Sequence, residues 1–333
     1  MSSRISGQKI NYSVRPGKSI ERKMIKEILS RLFIFDDLSK YQYIGFGSKY
    51  FTDFILFHKS LNFKKMISLE KDSDDSERYN FNKPFQCIEI FFESSSDWID
   101  TKSEINEPTI VWFDYDQIFS KFMIDDCRQL ARILPSGSLF AISFNYTVPK
   151  LEFLKKNIED LTIDNYQKWF EYLFGNTLIN PNMDTRGLDD KFKYLQRIIP
   201  ILITSLEKVI TERNLLISES DSHLKLQPTF SFTYRDGAPM ATFGWMILNS
   251  KDQQNFNLMR LNEFEFYQPD MVNPYDIDPA SLTMREISYL REIVSTSFDP
   301  DDTSVTKYFK AEEIESFRKL YKYFPAFTEI EAY

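Results

Sequence analysis

Histidine and cysteine are nearly absent: two of each in 333 residues, His58, His223, Cys87 and Cys127. That excludes a disulfide framework and a CxxC pair, and no recognised zinc-ligand spacing can be assembled from them. A reducing, cytoplasmic setting is the expectation, with no metal centre. Apolar runs are short. The longest, IIPILITSL at 198–206, falls well below the ~20 residues that cross a bilayer. The opening MSSRISGQKINYSV has no apolar h-region, so no signal peptide is expected, and no fixed-period repeat is visible. Positive charge is not in excess. Forty-one Lys and Arg against 49 Asp and Glu give a net charge of −8, so no clear duplex nucleic-acid surface is expected, since phosphate contacts need a dense basic stripe. Long polar tracts are missing too, and 42% hydrophobic residues describe a folded globular chain. Aromatics are plentiful at 16%, a bias that AT-rich codon usage produces by itself.

Apolar periodicity predicts a helix over 19–34, with Ser19 as N-cap and Ile20, Met24, Ile28 and Leu32 on one face. YQYIGFG reads as a strand entering a glycine turn, followed by a helix marked by Phe51, Phe54, Ile55, His58 and Leu61. KKMISLEK, QCIEIFFES and TIVWFDYDQ are three further strands, reaching Glu70, Glu93 and Asp114; KDSDDSER is a solvated crossover loop. A helix through Cys127, Leu130 and Ile133 precedes a fifth strand, SLFAISFNY. Helices follow at 150–159, 164–174 and 189–213, the last kinked at Pro200. Asp236-Gly237 lies between two strand-like runs and predicts a hairpin. Thr283 and Glu286 form a capping-box pattern, and a last helix spans 311–323. Continuous apolar strands alternating with helices predict a Rossmann-like α/β fold, a mostly parallel sheet with a terminal antiparallel hairpin. The expected organisation is a helical segment at 1–40, an α/β domain at 41–250 with a helical insert at 150–226, and a C-terminal extension at 251–333.

The turn Gly45-Phe46-Gly47-Ser48 admits three readings. A dinucleotide fingerprint needs a third glycine where Tyr50 stands, and the phosphate loop's Gly-Lys-Ser/Thr is absent. S-adenosylmethionine asks for less, since it carries no phosphate. The turn would receive its amino-acid end, Glu70 would accept the ribose hydroxyls, Glu93 or Ser94 would meet the adenine, and Asp114 would lie beside the sulfonium.

This order of elements, with the hairpin in TFSFTYRDGAPMATFGWMI, resembles the class I S-adenosylmethionine-dependent methyltransferases over residues 40–150 and 228–249. SVRPGKSIERKM together with YIGFGS is also similar to bacterial O-methyltransferase-like proteins. The resemblance implies S-adenosylmethionine as cofactor and a cytoplasmic transferase whose acceptor is a small molecule or a nucleotide component, with oxygen as the methylated atom. Two positions depart from the family pattern: Tyr43 stands where an acid usually holds the cofactor ammonium, and Lys49 where a third glycine is frequent. Lys49 could pair with the cofactor carboxylate instead.

Asp114-Tyr115-Asp116 is the catalytic candidate. Methyl transfer is an in-line displacement that asks the protein to position the acceptor and remove its proton. A carboxylate would be the base, with Tyr115 orienting the acceptor; a solvated strand end is the bland alternative. Arg15 and Lys18, beside a helix N-terminus, could attract a substrate or cofactor anion. His58 reads as a core histidine, and Trp112 and Trp245 as buried strand residues. The insert at 150–226 would be an acceptor lid. A competing reading keeps the fold and loses the chemistry: a methyltransferase-like interaction subunit of a bacterial complex, with the insert and C-terminal extension as surfaces for a protein partner.

Overall fold

The computed structural model describes residues 15–152, 154, 163–188, 190–294, 305 and 307–325. Its centre is an eight-stranded sheet in the order β3-β2-β1-β4-β5-β7-β6-β8. The strands are β1 (Gln42–Gly45), β2 (Lys65–Leu69), β3 (Ile88–Phe91), β4 (Thr109–Ile118), β5 (Leu139–Asn145), β6 (Lys225–Asp236), β7 (Ala238–Leu248) and β8 (Tyr275–Ile277). The first five run parallel, and β7 lies antiparallel to both β5 and β6. The Rossmann-like α/β expectation therefore holds, hairpin included. Gly237, at φ +98°, supplies the left-handed residue that lets Asp236 and Ala238 pair across the turn.

Helices cover both faces, and the strands carry alternating residues to each. On β4, Val111 and Phe113 enter one core while Ile110 and Trp112 enter the other. The first core is roofed by α4 (Ser95–Asp100), α5 (Lys121–Ile133), α6 (Tyr166–Phe174) and α7 (Lys191–Asn214). The second lies under α1 (Pro16–Ser30) and α2 (Thr52–Leu61). Pro200 sits inside α7 as expected. α6 and α7 are the crossover from β5 to β6, and Arg213 of α7 donates to the Ala131 and Leu134 carbonyls at the end of α5, at 3.1 and 2.6 Å. Most of the helix expected at 150–159 lies outside the described residues.

Several boundaries differ from the periodicity. α1 begins at Pro16, so Ser19 is inside it and is not its cap. Proline suits the first helical turn because its missing N–H would be unpaired there anyway. The cap comes from far away: Asp236, at the hairpin turn, accepts from the backbone N–H of Gly17 (3.2 Å) and Lys18 (2.8 Å). The crossover after β2 contains a helix, α3 (Ser76–Asn82). Beyond 250 come α8 (Ser250–Leu258), α9 (Met284–Val294) and α10 (Ala311–Leu320), and the chain also returns to the sheet as β8, parallel to β6. The Thr283–Glu286 capping box forms, with Thr283 N donating to Glu286 Oε2 at 2.7 Å and Glu286 N to Thr283 Oγ1 at 3.3 Å. Among the described residues no helix is long and apolar enough to cross a membrane.

Candidate functional site

A cavity of about 1030 Å³, counted out to its open mouth, lies at the carboxyl ends of β1, β2, β3 and β4. Between β1 and β4 the strand order reverses, which is where open α/β sheets leave a crevice for a ligand. Four segments furnish it. Phe46, Gly47 and Ser48 come from the turn after β1, Glu70, Lys71 and Asp72 from the end of β2, Glu93 and Ser95 from beyond β3, and Asp114 to Gln117 from β4.

The turn is held in an uncommon conformation. Ser48 (φ +47°) and Phe51 (φ +49°) are both left-handed, each costing about 1–3 kcal/mol for a residue with a side chain. A hydrogen bond from Phe51 N to the Gly47 carbonyl, at 2.7 Å, and the complete burial of the Phe51 ring hold the bend closed. Gly47 is glycine for lack of room: a Cβ there would stand 2.6 Å from Phe51 Cδ1 and 2.6 Å from Ser68 Oγ. Gly47→Ala is expected to lower stability by about 1–3 kcal/mol through overpacking, read as a shift of the urea midpoint. An unshifted midpoint would mean that the ring can yield.

Glu70 faces this turn. Ser68 Oγ donates to its Oε1 at 2.7 Å and Gly47 N donates to Ser68 Oγ at 3.0 Å, so the serine links the carboxyl to the turn, whose Gly47 and Ser48 N–H groups lie near enough to favour the charged form. Burial dominates and pushes the carboxyl up to about 7, against the downward pull of those donors. The carboxyl therefore stands at the turn, on the pocket wall.

β4 reaches the pocket through an irregularity. Its ladder with β5 shifts register between Asp114 and Ile118, which releases Tyr115, Asp116 and Gln117 from strand pairing. Asp114 accepts from Lys18 Nζ at 2.6 Å. Asp116 lies at the exposed rim; withdrawal from water, and then the Asp114 charge, raise its pKa. The Tyr115 ring is wall, at 5.3 Å edge-on to Phe46, but its hydroxyl donates to Asp126 Oδ2 at 2.6 Å and is 3.1 Å from Ser95 Oγ. The Tyr115 hydroxyl is thus already engaged by Asp126 and Ser95, while its ring faces the cavity.

The remaining expected residues are distributed unevenly. Phe46, Gly47, Ser48, Glu70, Glu93, Asp114, Tyr115 and Asp116 share the one cavity. Gly45 ends β1 in the sheet beneath it. Tyr43 points to the opposite face, packed edge-on against Phe54 and Phe57 at 5.0 and 5.1 Å. Lys49 places its ammonium 5.3 Å from the Tyr50 ring and is not part of the wall. Ser94 caps α4 through Asp97 N at 3.1 Å; its neighbour Ser95 lines the cavity instead. Arg15 lies outside the lining. Lys18 is not an anion receptor: only 2% exposed, it meets Glu21 Oε2 at 2.7 Å as well as Asp114, and sits 4.4 Å from the Trp112 ring centre. Burial would lower its pKa, but the Asp114 and Glu21 carboxylates prevail and raise it. Among the described residues of 150–226, none lines the cavity. His58 is a satisfied histidine, Nδ1 2.8 Å from the Phe63 carbonyl, and Trp112 Nε1 donates to Ser143 Oγ at 2.9 Å.

Sequence reading missed Arg22, Thr52, Asp53 and Tyr79, and it took Lys71 and Asp72 for a solvated loop; all line the cavity. The one available signal for Arg22 was its place four residues after Lys18, on the same side of α1. The wall carries six carboxylates (Asp53, Glu70, Asp72, Glu93, Asp114, Asp116) against two cations (Arg22, Lys71). Such a lining favours a cationic ligand and opposes a phosphate. Among the described residues no group of three or more His, Cys, Asp or Glu is placed to hold a metal ion.

A family model described as "Putative O-methyltransferase" matches residues 10–332. No curated protein matches the chain. Among solved structures, the chain is similar to the cofactor-bound Rv0187 from MTB at 9% identity, covering 68% of this chain and 80% of that one, with a TM-score of 0.33. It is also similar to the O-methyltransferase TomG from Streptomyces achromogenes, solved in complex with SAM, at 10% identity, with 67% and 79% covered and a TM-score of 0.33. A "probable spermidine synthase" from Corynebacterium glutamicum ATCC 13032 shares 16% identity over 37% of this chain, has a TM-score of 0.31, and is covered over 47% of its own length, about half. With TM-scores this low, the fold assignment rests on the strand order itself.

Proposed function

The chain belongs to this O-methyltransferase family, and from that premise we propose that it is an S-adenosylmethionine-dependent enzyme whose cofactor lies across the carboxyl ends of β1 to β4. The observation that carries the proposal is the meeting of Glu70 with the Gly47–Ser48 turn at one side of a cavity whose other side is the β4 carboxylates. The residues fit the group. The turn has no side chain at Gly47 to obstruct the methionine end, Glu70 offers oxygens to a ribose, and the excess of acids suits a sulfonium cation. Phe46, Leu69 and Tyr79 give the adenine apolar walls.

S-adenosylmethionine, when bound, supplies an activated methyl group. The chain's own part is to orient the acceptor and take its proton. Asp114 is tied to Lys18, so it serves as a fixed negative charge near the reacting centre. Asp116, exposed at the rim and with a raised pKa, is the carboxylate placed to accept a hydroxyl proton. The acceptor is a small molecule that reaches the rim. We assign the enzyme to the cytoplasm, where free thiols such as Cys87 and Cys127 persist.

Calorimetric titration with S-adenosylmethionine and S-adenosylhomocysteine tests the reading, with micromolar binding expected. A folded protein that gives no heat at millimolar ligand would overturn it and favour a non-catalytic interaction subunit. A pH dependence is also expected. An acid raised from 4.5 to about 7 by burial costs nothing below about pH 4.5; its cost grows between about pH 4.5 and 7 and levels off above that. Without ligand, Glu70→Gln should therefore gain about 3 kcal/mol over wild type at about pH 8 and little at about pH 5, measured by urea denaturation. Cofactor affinity should move the other way, strengthening as Glu70 ionises.

A further inference from the structure

The wall beside the glycine turn holds a buried ion pair that the reading above does not use. Arg22 Nε of α1 donates to Asp53 Oδ1 in the first turn of α2. Both residues are 5% exposed, and both line the cavity next to Gly47, Ser48 and Thr52. A buried pair of this kind seldom stabilises a fold more than apolar side chains of similar size would, so its position on a ligand-facing wall is informative. Tyr43 leaves the adjoining strand without an acid and is buried in the core beneath α1 and α2, the helices that carry the pair. Asp114 is committed to Lys18. Lys71, the other lining cation, lies at the end of β2 with its ammonium 5.4 Å from the Phe122 ring. Arg22 is therefore the lining cation at the turn, and Asp53 the lining acid beside it. α2 also begins there with no side chain capping its first N–H groups.

We propose that the Arg22–Asp53 pair is a clamp for the zwitterionic amino-acid end of the cofactor, Arg22 taking the carboxylate and Asp53 the ammonium. The inference rests on the cofactor reading above. The exchange is balanced: one internal ion pair opens, two pairs to the ligand form, and no charge is left buried without its opposite. A nucleoside lacking the amino-acid end leaves the pair closed and gains nothing from it.

The test compares S-adenosylhomocysteine with 5′-methylthioadenosine, which keeps the adenosine and thioether and lacks the amino acid. Wild type should bind the former on the order of 30-fold more tightly or better. Arg22→Met/Asp53→Leu removes both charges together, so folding should persist, as checked by the urea midpoint. This variant should bind methylthioadenosine as wild type does, and S-adenosylhomocysteine no better. If the folded double variant keeps the preference, or wild type shows none, the clamp is overturned. Should the variant fail to fold, the carboxyl amide of S-adenosylhomocysteine serves on wild type. A loss of about tenfold or more is expected, and equal affinity overturns the Arg22 assignment. If wild type binds neither nucleoside, the cofactor reading itself fails, and the clamp with it.

Discussion

Lys18→Met is expected to destabilise the protein by about 3–5 kcal/mol at neutral pH. The lysine is 2% exposed, and its ammonium lies 2.7 Å from Glu21 Oε2 and 2.6 Å from Asp114 Oδ1. Glu21 is fully buried and also accepts from the Thr242 hydroxyl. Burial already raises its pKa, with the lysine holding it down. Without the ammonium, Glu21 either keeps an uncompensated charge or takes up a proton. The sign of the pH dependence follows. The folded-state pKa of Glu21 would lie further above its unfolded value, so the penalty should be larger at about pH 8 than at about pH 5. Urea denaturation at the two values reads it directly. A pH-independent loss below about 1 kcal/mol would mean that the lysine contributes packing alone. Lys18→Met/Glu21→Leu should recover much of the stability, because it removes the stranded acid along with its partner.

The second large effect concerns binding. Glu70→Ala should weaken S-adenosylhomocysteine by about a hundredfold or more. Hydrogen bonds to a charged group are worth about 1.5–3 kcal/mol each, and a ribose offers two hydroxyls. Each factor of ten corresponds to about 1.4 kcal/mol, so even one such bond with partial loss of the other reaches that figure. Methylthioadenosine keeps the ribose and should weaken in parallel. The Arg22–Asp53 variant, by contrast, should weaken only the ligand that carries an amino acid. Loss of one ligand without the other in Glu70→Ala would remove the ribose assignment. The fold should survive, since in the unliganded protein the alanine removes an acid held near pH 7 by burial.

The succession of strands along the chain and the hairpin were legible because both are written in local patterns. Continuous apolar runs such as TIVWF mark a strand covered on both faces, and Asp236-Gly237 marks a turn. The left-handed Ser48 and the bulge after Asp114 were not, because neither carries a glycine or a proline to announce it. The three-residue strand β8 escaped for want of length: it has too few residues to show a period.

Taken alone, then, the sequence determined a mostly parallel α/β sheet with a hairpin, a glycine turn after β1, and acids toward the carboxyl ends of the next three strands. Each of these depends on neighbours a few residues apart. The tertiary structure alone decided which charges are inside. Lys18 finds Asp114, Arg22 finds Asp53, and Asp236 caps α1 across separations of 96, 31 and more than 200 residues. A charged side chain on a helix looks like a solvent-facing residue until the partner that neutralises it is known, and local periodicity carries no record of a partner so far along the chain.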